Sequence, residues 1–555
     1  MKIKILICIL FVFSSIFILL SCGRKTHDLD AAIASLNTDE LIQDVKILSS
    51  DEYEGRFPAS PGEEKTIAFL KEEFEKVGLQ PGNGDSFFQE VPLVEINSVP
   101  QTNLIVASED KKLEFTFKDE WAGVTLRVQD KIAVQDSDMI FVGYGIVAPE
   151  YEWNDYEGLD VKGKTVVMLV NDPGFPTQDP DLFNGRAMTY YGRWTYKYEE
   201  AARQGAECAV IIHETEPAAY GWEVVRNGWT GPNFNLVTED GNASRCAVEA
   251  WITLDTTRKI FEAAGKNYDE LKEHASERDF TAVPLDLKAS LSLENSIRNV
   301  ISRNVVGLLP GSERADEYII YTAHWDHFGR NPDLEGDQIF NGALDNATGT
   351  AALIELAEAY KQLGPPPQRS ILFLAVTAEE QGLLGSDYYA THPIYPLTQT
   401  AAVINMDALN IYGRMKDIRI TGYGQSELDD YVEVYAEEEG KIVLPNPTPE
   451  KGSFYRSDHF PFAKQGVPAL SAGAGIQHIE KGEEWGLAQR EKYIRERYHK
   501  PSDEFDDTWD LSGLQDELHM YFLIGYRLSM ESTFPNWKEG SEFKHIRDAA
   551  MEGNQ

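Results

Sequence analysis

Cysteine is scarce, with four in 555 residues. None stands in a C-x-x-C pair, which excludes a thiolate zinc site and a disulfide-built scaffold. Basic charge is also short. Lys and Arg number 51 against 91 Asp and Glu, the formal charge is −40 and the pI about 4.6. Such a chain offers no broad basic face to neutralise phosphates, so a nucleic-acid partner is excluded. Beyond residue 22 no apolar run is long enough to span a bilayer. Internal repeats and heptads are absent, which removes solenoids and coiled coils. What is present is a globular composition, 42% hydrophobic and 11% aromatic. The chain is too long for one core, so at least two domains are expected.

The one long apolar run is at the start. Lys2 and Lys4 precede Ile5–Leu20, and the run ends Leu19-Leu20-Ser21-Cys22. It reads as a secretory signal, short for a membrane span. Its end resembles a bacterial lipoprotein signal, which implies lipidation of Cys22 and a protein tethered to a membrane, facing the periplasm or cell exterior. Cys208 and Cys246 could pair in that compartment, or stay as buried thiols.

The stretch from Tyr321 to Ser386 organises the rest. Ile319–Ala323 and Ile371–Thr377 are apolar runs of strand length. Between them Ala347–Tyr360 has helical spacing, with Ala351, Leu353, Ile354, Leu356 and Ala357 on one face. The order is strand, acidic loop, helix, strand, acidic loop, helix. That predicts an α/β sheet with polar residues at its strand ends, where open α/β sheets place their sites. His324, Asp326, Asp345, Glu379 and Glu380 stand there. Ala401–Met406 is a further strand that delivers Asp407, and Tyr493–Asp507 is a polar loop carrying His499. A His-and-carboxylate set without Cys suits zinc or a similar divalent metal.

Upstream, Thr38–Leu48 and Gly62–Val77 are expected helices, the second capped by Gly78. From Pro100 the character changes to short strands and Gly-, Pro- and aromatic-rich loops, with a helix expected at Arg258–Lys272 and an extended return over 286–309. The predicted division is therefore a signal at 1–22, a first part of the main domain at 23–99, an inserted α/β module at 100–286, the second part at 287–535 and a C-terminal tail at 536–555.

A two-metal hydrolase needs one carboxylate shared by both ions, terminal ligands for each, and a base for the water. His324, Asp345, Glu380, Asp407 and His499 make two near-identical half-sites, each with one His and one carboxylate around a shared Asp345. Glu379 stays free to take a proton. Asp326, two residues from His324, is placed to accept its other ring N–H. His327 and His459 are expected either to support a ligand from behind or to be packing residues, and His478 to lie at the pocket rim.

The segments HWDHFG, NGALDN, TAEEQGLLGS, NMDALN, FYRSDHFPFAKQGVPAL and YHKPSDEFD, in this order between about Arg303 and Leu528, resemble the signatures of the M28 family of co-catalytic zinc aminopeptidases. The insert resembles, more loosely, the protease-associated (PA) domain of some members. The resemblance implies a mixed-sheet α/β zinc-peptidase domain, eight-stranded and flanked by helices, with the smaller α/β domain inserted. It implies two Zn2+, with Co2+ or Mn2+ as other candidates, bridged by Asp345 and a water or hydroxide. His324 and Asp407 would complete one ion, Glu380 and His499 the other. Glu379 would be general base and then acid, Tyr498 an oxyanion donor, and Arg456 a substrate contact. A cis peptide would follow Asp345.

The reading that follows is an aminopeptidase acting on peptides with a free N-terminus. The alternatives are a carboxypeptidase-type or dipeptidase enzyme of the same family, a single-zinc cyclase, and a non-catalytic receptor on the same scaffold. The intact five-ligand set speaks against the last two. No arginine cluster is evident near the site, which places the carboxypeptidase second.

Overall fold

The apolar runs are the centre of one sheet. The computed structural model describes residues 27–553, so the N-terminal signal and Cys22 lie outside the described residues. Eight strands of a 17-stranded sheet position the site, β1 (Phe88–Pro100), β2 (Val283–Leu309), β3 (Arg314–His324), β4 (Arg369–Val376), β5 (Thr400–Asn405), β6 (Asp417–Ile420), β7 (Ile442–Pro445) and β8 (Ala469–Ala474). They lie in the order β1-β2-β4-β3-β5-β8-β6-β7. The pairs β4/β3, β3/β5, β5/β8 and β6/β7 are parallel and the others antiparallel.

Seven helices frame the site: α1 (Thr38–Leu48), α2 (Pro61–Val77), α3 (Thr348–Gln362), α4 (Leu384–Thr391), α5 (Leu428–Glu438), α6 (Gly482–Glu496) and α7 (Ser512–Met530). Alternate residues of β3 go to opposite faces, as the pleat requires. Ile319, Tyr321 and Ala323 join the core that α1, α2, α3, α5 and α7 share, while Tyr318 and Ile320 join the one that holds Tyr389 of α4 and Phe462. Both faces are covered, so the central strands read as unbroken apolar runs. The helix ends obey their caps. Asn37 accepts from the Asp39 N–H at the start of α1, and Gly78 closes α2 with φ 83°.

The insert is joined to this sheet by a ribbon. Strand β2 runs without a break for 27 residues and pairs with β1 from Phe88 opposite Val305 to Pro100 opposite Leu293. Its first half packs Leu285, Leu287, Ala289, Leu291 and Leu293 into the insert's core, and Val305 and Leu309 enter the main core. The insert's own strands include parallel neighbours Met139–Phe141, Thr165–Leu169, Cys208–His213 and Val248–Thr253. Cys208 and Cys246 are both buried and free. The helix expected over Arg258–Lys272 is two helices, Leu254–Ala263 and Tyr268–His274, because Gly265 takes the left-handed conformation (φ 69°).

A second contact ties the insert down. The segment 536–553 folds back with Trp537 and Phe543 buried among Phe454, Tyr455 and Phe460. From it Glu542 accepts from the Tyr190 N–H at 3.1 Å and the Tyr455 hydroxyl at 2.8 Å. Burial pushes the Glu542 carboxyl up to about 8 from an ordinary 4.5. The folded state then holds a proton that the unfolded state has released, so stability from this group falls as pH rises from about 5 to about 8. Glu542→Gln is expected to flatten that decline, read as thermal midpoint against pH for variant and wild type. An unchanged slope would remove Glu542 as its source.

Arg56 is the buried tie beneath the site. It is 1% exposed and donates to the main-chain carbonyls of Leu48 (2.8 Å), Trp325 (2.8 Å), Asn341 (2.5 Å) and Gly342 (2.9 Å). It thus joins α1 to the loops that carry His324 and Asp345. Arg56→Ala strands the Leu48, Trp325 and Asn341 carbonyls, while Gly342 keeps the Ala347 N–H, and is expected to cost about 3–5 kcal/mol, measured by denaturant unfolding.

Candidate metal centre

Strand register brings the candidates together. His324 ends β3 opposite Val376, so Glu379 and Glu380 follow at the neighbouring strand end. Thr322 pairs with Asn405, which sets Asp407 on the other side. Asp345 comes from the turn before α3, followed by a cis peptide to Asn346. Asn346 locks that turn to the Asp407 strand end. Its amide donates to the Met406 carbonyl (2.9 Å), and its oxygen accepts from the Gly349 (3.0 Å) and Ala408 (3.1 Å) N–H groups. Gly349 is required here, since a Cβ would stand 2.4 Å from the Met406 carbonyl oxygen.

The ring nitrogens and carboxylates form a chain. His324 Nε2 is 3.4 Å from Asp345 Oδ1 and 3.5 Å from Asp407 Oδ1. His499 Nε2 is 3.4 Å from Asp345 Oδ2 and 3.4 Å from Glu380 Oε2. These separations match the edges of a coordination tetrahedron, about 3.3–3.5 Å for bonds of 2.0–2.1 Å. The donor set fits two zinc-sized ions with Asp345 between them. His324, Glu379 and Asp407 form a second close grouping on the Asp407 side.

The electrostatics agree with a cation site. Burial lifts Glu379 and Glu380 well above the carboxylate range, with Asp458, Asp407 and Asp345 adding to the first and Asp345 and Glu379 to the second. Burial opposes charge on His324, yet Glu379, Asp345 and Asp407 hold its imidazolium well above the usual range. Buried carboxylates so crowded call for a positive partner.

The surrounding residues differ from the sequence reading in several places. The Asp326 carboxylate does not take the His324 ring N–H. Nδ1 is 3.2 Å from the Asp326 main-chain oxygen and 3.8 Å from Oδ1. The carboxylate instead accepts the N–H groups of Glu379 (3.0 Å) and Glu380 (3.4 Å), so it shapes the glutamate loop. His478 is 4% exposed, its Nδ1 accepting from the Glu480 and Lys481 N–H groups, and so belongs to a turn. His459 is buried against Phe454. His327 is buried with Nδ1 2.6 Å from Glu380 Oε1, and neither atom makes a hydrogen bond. Tyr498 is 43% exposed and stacks on the His499 ring, with centroids 3.7 Å apart. Arg456 is exposed, and among the described residues no carboxylate pairs with it. The following residue, Ser457, donates to Asp407 Oδ2 at 2.6 Å.

Asp503, expected from the sequence to orient its neighbours, holds the frame. Asp503 accepts the Leu344 and Asp345 N–H groups at 3.3 and 3.0 Å. Its spacing from His499 was visible, but the partner across the fold was not. Helix α6, whose last turn falls in the segment expected as a polar loop (Tyr493–Asp507), is polar all round, with Gly486 its one buried residue.

Residues 304–520 match the profile described as Peptidase family M28. Aminopeptidase YwaD of Bacillus subtilis is 28% identical over 233 residues, 41% of this chain and 45% of that protein. A glutamate carboxypeptidase 2 homolog of Caenorhabditis elegans is 31% identical over 206 residues, 34% of this chain and 24% of that protein. The chain thus spans less than half the length of these curated relatives. The solved aminopeptidase of Aneurinibacillus sp. strain AM-1 superposes with a TM-score of 0.49 and 17% identity, covering 91% of this chain and 97% of that one. The segment 304–520, which contains His324, Asp345, Glu379, Glu380, Asp407 and His499, is thus similar to peptidase family M28.

Proposed function

We propose that this protein is a zinc-dependent metallo-exopeptidase of the aminopeptidase type, removing N-terminal residues from peptides. The observation that carries the reading is the run of four N···O separations of 3.4–3.5 Å linking His324, Asp407, Asp345, His499 and Glu380. His324 and Asp407 would hold one zinc, Glu380 and His499 the other, and Asp345 both. Bound zinc polarises a carbonyl and lowers the pKa of water.

The chain's own residues do the rest. Glu379 takes the proton of the attacking water and returns it to the leaving amine. Tyr498 donates its hydroxyl to the developing oxyanion. A free α-amino group is drawn to the acidic cluster, which suits N-terminal residues.

In this reading residues 100–286 are a PA-type module over the peptidase domain, and residues 1–22 direct export with lipidation of Cys22. Among the described residues no helix is long and apolar enough to cross a membrane. Mass spectrometry of the N-terminal peptide tests the lipid.

The activity is tested on free and N-acetylated aminoacyl p-nitroanilides, with and without chelator. Cleavage of free-amine substrates alone, lost on chelation, is the expected result. Cleavage only of C-terminally acidic peptides would sink the aminopeptidase reading in favour of a carboxypeptidase.

A further inference from the structure

The turn that carries Glu379 is gripped from behind by the ribbon. Strand β4 ends at Val376, and Thr377 stands between it and the pair Ala378-Glu379. Every polar group of Thr377 is taken. Its N–H donates to Asn304 Oδ1 at 3.0 Å, its carbonyl accepts the Gly385 N–H at 2.9 Å, and its hydroxyl lies 2.6 Å from Ser302 Oγ. Ser302 in turn donates to Glu63 Oε2 at 2.7 Å. That spends the one hydroxyl hydrogen of Ser302, so Thr377 is the donor in the bond between them. Glu63 serves as acceptor throughout: the Ala59 N–H reaches the same oxygen at 2.5 Å, and Arg303 Nε stands 3.3 Å from the other.

This row is shut off from solvent, with Thr377, Ser302, Asn304 and Glu63 each 0% exposed. Ser302 and Asn304 belong to β2 and Glu63 to the first turn of α2. Asn304 Nδ2 also donates to the Gly385 carbonyl at 2.9 Å and to Gln89 Oε1 at 3.0 Å. Between them the Arg303 carbonyl accepts from Trp325 Nε1 at 3.0 Å, so the same ribbon residues touch the loop after His324. The grip has something to hold. Ala378 takes φ 53°, a left-handed conformation that is costly for alanine and persists only where its surroundings enforce it. Beyond it the main chain of Glu379 is fixed again, its N–H by Asp326 at 3.0 Å and its carbonyl by the Gly382 and Leu383 N–H groups at 2.9 Å. The direction of the Glu379 side chain therefore follows from the Thr377–Ala378 corner.

The geometry points to Thr377 and Ser302 as positioning residues that act through Glu379: their hydroxyl pair holds the strained corner and so aims the carboxylate for proton transfer. This rests on the peptidase reading and adds to it a control of the base by β2, the strand that also carries the insert. A catalytic group moved by about 1 Å loses up to about 10²-fold in rate, so two hydroxyls remote from the reacting atoms have a kinetic effect.

The test is a double-mutant cycle on the zinc-loaded protein, using the aminoacyl p-nitroanilide that the wild type cleaves fastest. Thr377→Val and Ser302→Ala are each expected to lower kcat about 10- to 100-fold, with KM held within about threefold and zinc content unchanged. Thr377→Ser keeps the hydroxyl and is expected to keep most of the rate. In the Glu379→Gln background the same substitutions cost nothing further, because they act through that carboxylate. A loss that recurs in full in that background, or single variants within about twofold of wild type, overturns the assignment while leaving the peptidase standing. If Thr377→Val does not fold, Ser302→Ala, which removes a single oxygen, carries the cycle. If the wild type cleaves no peptide, the peptidase reading falls, and amide hydrogen exchange over residues 378–385 judges the grip alone. Faster exchange in Ser302→Ala than in wild type supports it, and equal rates overturn it.

Discussion

Glu379→Gln is expected to lower kcat by about 10²- to 10⁴-fold, the range of general acid–base catalysis, with metal content and thermal midpoint retained. Gln keeps the size of the side chain and the main-chain N–H that reaches Asp326 at 3.0 Å. It removes only the proton acceptor. Burial, with Asp458, Asp407 and Asp345, raises the Glu379 carboxyl well above its ordinary value. Steady-state kinetics beside elemental analysis make the measurement. A variant within tenfold of wild type would assign the proton transfer elsewhere.

Metal removal is the other large effect. Chelation should abolish turnover and lower the thermal midpoint, since a ligand at a thousandfold over its Kd contributes about 4 kcal/mol to the folded state. The shared carboxylate gives the sharper arm. Asp345 lies 3.4 Å from both His324 and His499. Asp345→Ala is therefore expected to lose both metal equivalents and Asp407→Ala to lose one. Metal stoichiometry after dialysis reads the difference, and an Asp345→Ala protein that keeps two equivalents would refute the shared role.

Much of this was open to reading from residue order. The runs Ile319–Ala323, Ile371–Thr377 and Ala401–Met406 are buried on both faces of the sheet, so burial left its mark as unbroken apolar stretches. Asn37 and Gly78 act through neighbours in the chain, and local signals of that kind are visible in a single sequence. Helix α6 escaped because a polar helix carries no periodic stripe. The direction of Asp326 escaped for another reason. Its spacing from His324 suggested a bond to the ring, but two main-chain N–H groups of the glutamate loop claim its carboxylate.

By itself, the sequence determined the fold class, the strand ends and the identities of the candidate ligands, because periodicity and motif spacing are properties of neighbours along the chain. Only the tertiary structure decided which groups meet across it. Arg56 beneath two site loops and Asp503 behind Asp345 each join segments far apart in sequence. No local pattern encodes such a meeting, since it follows from how the sheet, the β1–β2 ribbon and the docked insert pack as solids.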